Sequence, residues 1–327
     1  MEPDKPFKSY DEQIEILKKR NVIIPNHEDA VTLLSTFSYY SLINGYKDLF
    51  PESRDMFTIP ISLYDFFHLF MIDKNLNTLF FKYIIRIEKE LKTHISYKIS
   101  EKYGVITYLN SQSLMTPNDY LCRKNYKSTQ SRDNILKKII KYASESKNES
   151  INHYKNHHNH IPCWILINGI SLGVTIELYS LLRKEDKDVV CTQMVKTSIL
   201  QMENKKEFFS KGIKILRKYR NNIAHGNRTF CNLVKEELPK NQVLALSHGE
   251  IKETEYKNGI GKNDIFAVSL IIVSILNKAE RKTFIKEIDH IFNMVTKINF
   301  STGQSIFEIM RLPNDFIKRL NTIAENL

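Results

Sequence analysis

The side chains best suited to chemistry lie close together in the second half of the sequence, at Arg220, Asn221 and His225. An arginine guanidinium stays charged at neutral pH and can bind two oxygens of one phosphate group. A histidine imidazole, with an ordinary pKa of about 6.5, can accept or donate a proton near neutral pH without a metal ion. An asparagine amide beside them can orient the imidazole or hold a phosphate oxygen. Together these residue types predict proton transfer at a bound phosphate group, without a metal or another cofactor.

The three residues end a basic segment in which apolar side chains recur at helical intervals. This segment covers residues 205–224, and Gly226 is expected to stop the helix, because glycine adopts the left-handed conformation at little cost. On one helix Asn221 and His225 share a face, whereas Arg220 and His225 differ in direction by roughly 140°. A single helix therefore aims Arg220 and His225 apart, unless its last turn unwinds or two copies of the chain meet in a dimer.

The spacing alone does not establish a site, because short motifs also arise by chance. Arg20 and His27 form a second arginine–histidine pair, but Pro25 lies between them and indicates a loop, so we set this pair aside. A structural alternative applies to the first pair as well. In that alternative Arg220 caps the helix or pairs with an acidic residue, and His225 packs at the helix end, where the dipole favours it.

Net charge supports a phosphate-rich partner. The chain carries a formal charge of +11 and has a pI near 9.2, which favours a polyanionic partner, either nucleic acid or an anionic membrane surface. RNA fits the chemistry best, because its 2′-hydroxyl is a nucleophile that lies next to the scissile phosphate. Five residues on and just after the motif helix are predicted to contact RNA phosphates: Lys211, Lys214, Arg217, Lys218 and Arg228.

A histidine cluster is the sharpest rival to this site. Four histidines and a cysteine lie within eleven residues, at His153, His157, His158, His160 and Cys163. The spacing of the first two histidines, four residues apart, suits a shared metal ion. No acidic residue lies among them and Pro162 ends the segment, so we predict no metal site and keep metal binding as the alternative.

Composition is that of a soluble protein, with 42% hydrophobic and 26% charged residues and a mean hydropathy of −0.34. Its four cysteines are far apart, which indicates neither a disulfide framework nor a zinc ribbon. The N-terminus has no apolar segment of the signal-peptide type. The most apolar run, residues 265–276, is shorter than the ~20 residues that span a bilayer. We therefore expect a cytoplasmic protein without a membrane contact.

Helical periodicity and the scarcity of glycine and proline predict a mostly helical fold. Ser9 and Glu12 form a capping box that starts a helix, and a second helix begins near Glu28. This pair could read DNA, although its apolar second helix favours packing. The predicted exception to helix is a small β-hairpin at residues 241–257.

Three segments are predicted along the chain. Residues 1–60 form an N-terminal helical extension that packs on the main domain, residues 61–235 form the helical core with the motif, and residues 236–327 hold the hairpin and the C-terminal helices. Within the core, residues 62–104 predict either two long helices or one bent helix. An apolar helix that begins at Trp164 is predicted to lie at the centre of the core.

The motif also carries a family resemblance. The sequence LRKYRNNIAHGNRTFCN resembles the Arg-Asn-x-x-Ala-His signature of the AbiD/AbiF-type abortive-infection family (Abi-like proteins), a branch of the HEPN superfamily of helical ribonucleases. Further blocks of this family are similar to KPFKSYDEQIEILKKRN and the residues after it, to YIIRIEKELKTHISYKISEKYG, to INHYKNHHNHIPCWILINGISLG and to IMRLPNDFIKRL. Two positions depart from the family pattern, namely Gly226, where a second histidine or another polar residue is common, and Asn222, which is commonly apolar.

The resemblance implies a multi-helix HEPN-like domain that acts as a metal-independent endoribonuclease in a toxin-like phage-defence or toxin–antitoxin system. It implies that His225 transfers protons, that Arg220 binds the phosphate, that Asn221 supports them, and that a homodimer brings two motifs together. It also implies a structured small RNA as a second partner, since some Abi-like members are held in check by one. The alternatives are an RNA-binding protein without catalysis and, less favoured, a DNA-binding regulator.

Overall fold

The computed structural model describes residues 5–231 and 233–327. Within these residues the chain folds into fifteen α-helices joined by short 3₁₀ turns, one π-helical turn and four strands of two residues each. The fold is mostly helical, which confirms the predicted fold class.

Two helices and all four strands make up the N-terminal part. Its elements in chain order are α1 (Tyr10–Lys19), β1 (Val22–Ile23), α2 (His27–Phe37), β2 (Glu52–Ser53), β3 (Met56–Phe57) and β4 (Ile61–Ser62). The predicted capping box starts α1: the Ser9 hydroxyl accepts from the Glu12 amide at 3.2 Å, and the Glu12 carboxylate accepts from the Ser9 amide at 2.8 Å. Strand β1 pairs in parallel with β4, and β2 with β3 forms a short antiparallel hairpin that the sequence did not predict.

Helices form the rest of the described chain. They are α3 (Leu63–Tyr103), α4 (Arg132–Ser144), α5 (Glu149–His157), α6 (Cys163–Leu166), α7 (Leu172–Leu181), α8 (Lys184–Met194), α9 (Met202–Ala224), α10 (Lys240–Leu246), α11 (Glu253–Lys257), α12 (Ile265–Ile275), α13 (Lys278–Val295), α14 (Ile306–Ile309) and α15 (Phe316–Asn326).

Helix α3, with 41 residues, is the central element and is one continuous helix. It packs against α6, α8, α9 and α13, which come from both the middle and the C-terminal part of the chain. Ser62 caps its start and Gly104, in a left-handed conformation with φ of 79°, follows its end.

Helix α12 forms the centre of the C-terminal part, and all eleven of its residues are buried. Asp264 caps it and accepts hydrogen bonds from the amides of Ala267 at 2.9 Å and Gly261 at 3.0 Å. Helix α12 packs against α15 and against α9, the helix that carries the motif. In the part of the chain that the structure describes, no helix is long and apolar enough to cross a bilayer.

The predicted β-hairpin at residues 241–257 is wrong, since α10 and α11 occupy this stretch. Val243 and Leu246, three residues apart, both point into the core, so the apparent alternation was one face of a short helix. The turn between these two helices contains His248 at φ 50° and Gly249 at φ 85°.

The predicted apolar helix after Trp164 is interrupted. A 3₁₀ turn, Ile167–Gly169, separates α6 from α7, and the Ser171 hydroxyl caps α7 by accepting from the Val174 amide at 3.4 Å. Trp164 itself is 45% exposed and lies at the edge of the core rather than at its centre.

Candidate active site at the end of helix α9

Helix α9 ends with the hydrogen bonds of a Schellman motif. The amides of Gly226 and Asn227 bond back to the preceding turn at 2.9 Å and 3.0 Å, and Gly226 is left-handed with φ of 71°. The predicted helix stop is therefore confirmed. The His225 amide still donates to the Asn221 carbonyl at 3.1 Å, so the last turn does not unwind before the histidine.

Arg220 is half-buried and makes no side-chain hydrogen bond or ion pair with the residues that the structure describes. Its Nε atom is shielded from solvent and, among the described residues, has no hydrogen-bond partner. No acidic residue of the described part forms an ion pair with it, so the structural alternative of an acid partner is not observed. A buried donor left unpaired costs roughly 1–3 kcal/mol, and such groups in native proteins are expected to have a reason. Because no carboxylate of the described residues pairs with this guanidinium, an anionic ligand could bind it without displacing one.

His225 differs from Arg220 in its exposure. The histidine is exposed, Asn221 is half-buried, and neither side chain hydrogen-bonds to another group within residues 5–231 and 233–327. Because the helix continues to His225, the angular separation predicted from the spacing is kept. The three residues therefore share the end of one helix, with Arg220 turned toward the protein and His225 toward solvent.

A buried polar network holds the loop after the motif against α3. The Asp73 carboxylate accepts from the Thr229 amide at 3.0 Å and from the Tyr46 hydroxyl at 3.1 Å. The Asn77 side chain bonds to the Thr229 hydroxyl and donates to Asp73 at 3.3 Å. Burial raises the pKa of Asp73, even though the bonds from Thr229 oppose this rise. The sequence signal for this network was a pair of polar residues, four apart, in line with apolar residues of α3 that are also buried.

Two further bonds join the motif loop to the same turn of α3. Lys74 donates from Nζ to the Gly226 carbonyl at 3.1 Å, and Asn77 donates to the Asn227 carbonyl at 3.5 Å. The end of α9 is thus positioned by side chains that lie about 150 residues earlier in the chain, at separations of 152 and 150. These side chains position the site and were not found from the sequence.

Arg228, one of the predicted phosphate contacts, is engaged within the chain. Its guanidinium binds both carboxylate oxygens of Asp48 at 2.8 Å and the Gly45 carbonyl at 2.8 Å. It also lies over the rings of Tyr46 and Phe230, each at 5.7 Å. Arg228 therefore links the motif loop to the N-terminal part, and a phosphate would have to compete with Asp48 for it.

The other predicted phosphate contacts differ in their availability. Lys211, Lys214 and Lys218 are exposed along one side of α9 and form no ion pair within the described residues. Arg217 is half-buried and packs over Gly173 of α7, with Nη1 3.5 Å from where a β-carbon at that position would lie. The three lysines form a free cationic stripe that leads toward the motif.

The second arginine–histidine pair is divided between two elements. Arg20 follows α1 and binds Asp55 and the Tyr39 hydroxyl, the latter at 2.9 Å. His27 opens α2 and contacts Asp11 at 3.0 Å. Arg20 and His27 each have a partner within the chain, so they make a suitable control for the motif.

The histidine cluster lies on α5 and just after it. The rings of His153 and His157 are 4.9 Å apart and those of His153 and His158 are 5.3 Å apart, with His158 stacked on Tyr154 at 4.5 Å. These residues are largely exposed. Among the described residues, no group of three or more His, Cys, Asp or Glu side chains is arranged to hold a metal ion.

A comparison against protein families gives a match that includes the motif. The sequence matches the family described as Abi-like protein over residues 32–231, from α2 to the loop that follows the motif. This match covers more than half of the chain, and the chain belongs to the Abi-like family. Searches of curated proteins and of solved structures gave no match. Membership of this family supports a general role in abortive infection, the defence of bacteria against phage.

Proposed function

We propose that this protein is a metal-independent endoribonuclease of an abortive-infection system, with its active site at Arg220, Asn221 and His225. One observation carries the proposal above all others. The Arg220 guanidinium has a buried Nε without a partner among the described residues, and it ends the same helix as an exposed histidine. A phosphate group could bind this guanidinium without displacing a partner among the described residues, at the helix end that also carries a proton-transfer group.

The reaction needs only groups that the chain and RNA supply. A base takes the proton of the 2′-hydroxyl, and the 2′-oxygen attacks the adjacent phosphorus. Arg220 stabilises the negative charge on the phosphoryl oxygens. The bond from phosphorus to the 5′-oxygen then breaks, and an acid protonates that oxygen. The products are a 2′,3′-cyclic phosphate and a 5′-hydroxyl.

A dimer would complete this site. One motif holds one histidine, whereas the reaction uses both a base and an acid. Arg220 and His225 also face different directions on one helix, so a second copy could place its histidine near the arginine of the first. A two-fold interface through the end of α9 would bring two histidines and two arginines into one cleft.

The runner-up function is RNA binding without cleavage, including capture of a structured small RNA. The exposed stripe of Lys211, Lys214 and Lys218 supports it, because phosphate contacts need no histidine. The alternative of a DNA-binding regulator has less support. Lys18 pairs with Glu15 at 2.7 Å and Arg20 is bound by Asp55, so few cations remain free on the N-terminal helix pair.

The test is cleavage of mixed RNA by purified protein in EDTA, with the product ends mapped. His225→Ala and Arg220→Ala are expected to abolish cleavage, since general acid–base catalysis contributes about 10²–10⁴-fold. His27→Ala, at a histidine outside the site, is expected to cut as the unmodified protein does. A 2′-deoxy residue at the scissile position should block the reaction.

Two results would overturn the assignment. If EDTA stops cleavage by the unmodified protein, the reaction depends on a metal, and the histidine cluster on α5 becomes the leading candidate. If the unmodified protein binds RNA tightly but leaves it intact under all conditions tested, the non-catalytic function replaces the enzyme.

A further inference from the structure

A second basic feature lies at the opposite end of α9 from the motif. It is an open cleft of about 1110 Å³ formed by the loop at residues 124–132, the start of α8 and the start of α9. Seven of its lining residues are lysine or arginine and two are glutamate.

The positive charge in the cleft is only partly neutralised. Lys206 forms ion pairs with Glu203 at 2.7 Å and with Asp188 at 2.8 Å. Lys124, Lys127 and Lys184 are exposed and form no ion pair within the described residues. Several cations therefore face the same space without matching carboxylates.

Lys187 lies close enough to other lysines of the cleft to be repelled by their charges. Burial lowers the pKa of its ammonium group, and the charges of Lys127 and Lys206 lower it further, against a smaller opposing effect of Asp188. Its ammonium donates to the Ser180 carbonyl at 2.8 Å, which is a neutral acceptor. An anion bound in the cleft would relieve the repulsion among these three lysines.

The backbone and one arginine are arranged to receive such an anion. Helix α8 begins after Arg183, and no side chain caps its first amides. Helix starts carry a partial positive charge and free N–H groups. The Arg183 guanidinium is held by the carbonyls of Lys124 and Asn125, the latter at 3.3 Å, so its orientation is fixed before a ligand arrives.

We infer that this cleft binds backbone phosphates of RNA as a second contact site, remote from the motif. That RNA is the ligand rests on the proposed function. The two aromatic or large apolar residues in the lining, Tyr126 and Leu182, are buried, so the cleft offers no surface on which a base could stack. It therefore recognises phosphates without reading sequence.

The geometry of α9 sets the length of RNA that reaches both sites. Lys206 and His225 are nineteen residues apart on one helix, or about 28 Å at ~1.5 Å per residue. One turn of a B-form DNA duplex measures roughly 34 Å, and one turn of the A-form duplex that RNA adopts is somewhat shorter. A folded RNA of about one helical turn would span the distance from the cleft to the motif, whereas a dinucleotide would reach only one of them.

Binding of a non-cleavable RNA tests the inference. The ligand is a fluorescent hairpin of about one turn with 2′-O-methyl riboses, and its Kd is measured by anisotropy at several salt concentrations. The cleft variant is Lys127→Gln with Lys184→Gln. The control variant, Lys137→Gln with Lys141→Gln, removes the same charge from exposed positions of α4 outside the cleft.

The cleft variant is expected to bind about tenfold more weakly at physiological salt, with the salt slope reduced by about two, and the control variant is expected to bind as the unmodified protein does. Equal weakening of both variants, or no weakening of either, would overturn the inference. ATP in place of the hairpin separates the two sources of phosphate. If the cleft variant loses ATP binding but keeps RNA binding, the cleft is a nucleotide site and the RNA inference fails. Because the hairpin cannot be cut, a protein without nuclease activity still gives a decisive result.

Discussion

The same substitution at Arg220 and at Arg228 should affect different properties: RNA cleavage at Arg220 and stability at Arg228. Arg220 has a buried Nε without a partner among the described residues. Arg228 binds Asp48 through two oxygens and the Gly45 carbonyl, all at 2.8 Å, and its side chain is 19% exposed. Methionine keeps much of the aliphatic length of arginine and removes the charge. Arg220→Met and Arg228→Met are therefore a matched pair.

The expected free energies follow from these contacts. Arg228→Met removes three charge-assisted hydrogen bonds, each worth about 1.5–3 kcal/mol at most. Asp48 is 61% exposed, so solvent screening reduces the total, and we expect a loss of about 2 kcal/mol of unfolding free energy. Arg220→Met removes a donor that has no partner within residues 5–231 and 233–327. We expect its stability to stay within about 1 kcal/mol of the unmodified protein, or to rise.

The assay is urea unfolding of both variants together with RNA cleavage under conditions where both remain folded. Equal slopes with denaturant show that the same surface is exposed on unfolding. Arg220→Met should lose cleavage by about 3–4 kcal/mol in activation free energy while it keeps its stability. If Arg220→Met is destabilised as much as Arg228→Met, Arg220 has a structural contact in solution and the case for a ligand-binding arginine fails.

Three further outcomes are expected. Light scattering at micromolar concentration should show a dimer, and a monomer both with and without RNA would contradict the shared site at Arg220 and His225. RNA affinity should fall steeply from low to physiological salt, because binding of the lysine stripe on α9 releases counterions from the RNA phosphates. An affinity that does not change with salt would exclude phosphate contacts by these lysines. Burial raises the pKa of Asp264 from 3.8 to about 7, so its protonated carboxyl stabilises the folded state. This contribution to the unfolding free energy is complete below pH 4 and is lost as the pH rises through 7. Asp264→Asn keeps the cap on α12 but does not titrate. In urea unfolding at pH 5 and pH 7, the unmodified protein should lose about 2–4 kcal/mol of unfolding free energy at the higher pH, and the variant should not. If the variant shows the same loss, another group causes the pH dependence.

Local sequence rules predicted the parts of the structure that depend on local contacts. The capping box at Ser9 and Glu12, the stop at Gly226 and the helical class all follow from interactions within a few residues. The hairpin prediction at residues 241–257 failed because a short helix and a strand both place apolar residues close together. Burial of Val243 and Leu246 in the core decided between them.

The surroundings of the motif could not be predicted in the same way. The partners of Thr229 and Gly226 are Asp73 and Lys74, which lie more than 150 residues away. Sequence spacing predicted that Arg220 and His225 diverge, but it could not show that the arginine has no partner in the part of the chain that the structure describes. That property depends on which acidic residues the fold brings near, and it could be seen only in the structure.

The bonds between the motif loop and α3 also determine when the site forms. Those from Lys74 and Asp73 close loops of 152 and 156 residues, and the pair of Arg228 with Asp48 closes one of 180. Closing a long loop costs entropy that grows with the logarithm of its length, so such contacts form late in folding. During synthesis, α3 is complete long before Arg220 leaves the ribosome. The motif can thus be fixed in place only after more than two thirds of the chain has been made, and a chain that stops earlier carries no assembled site.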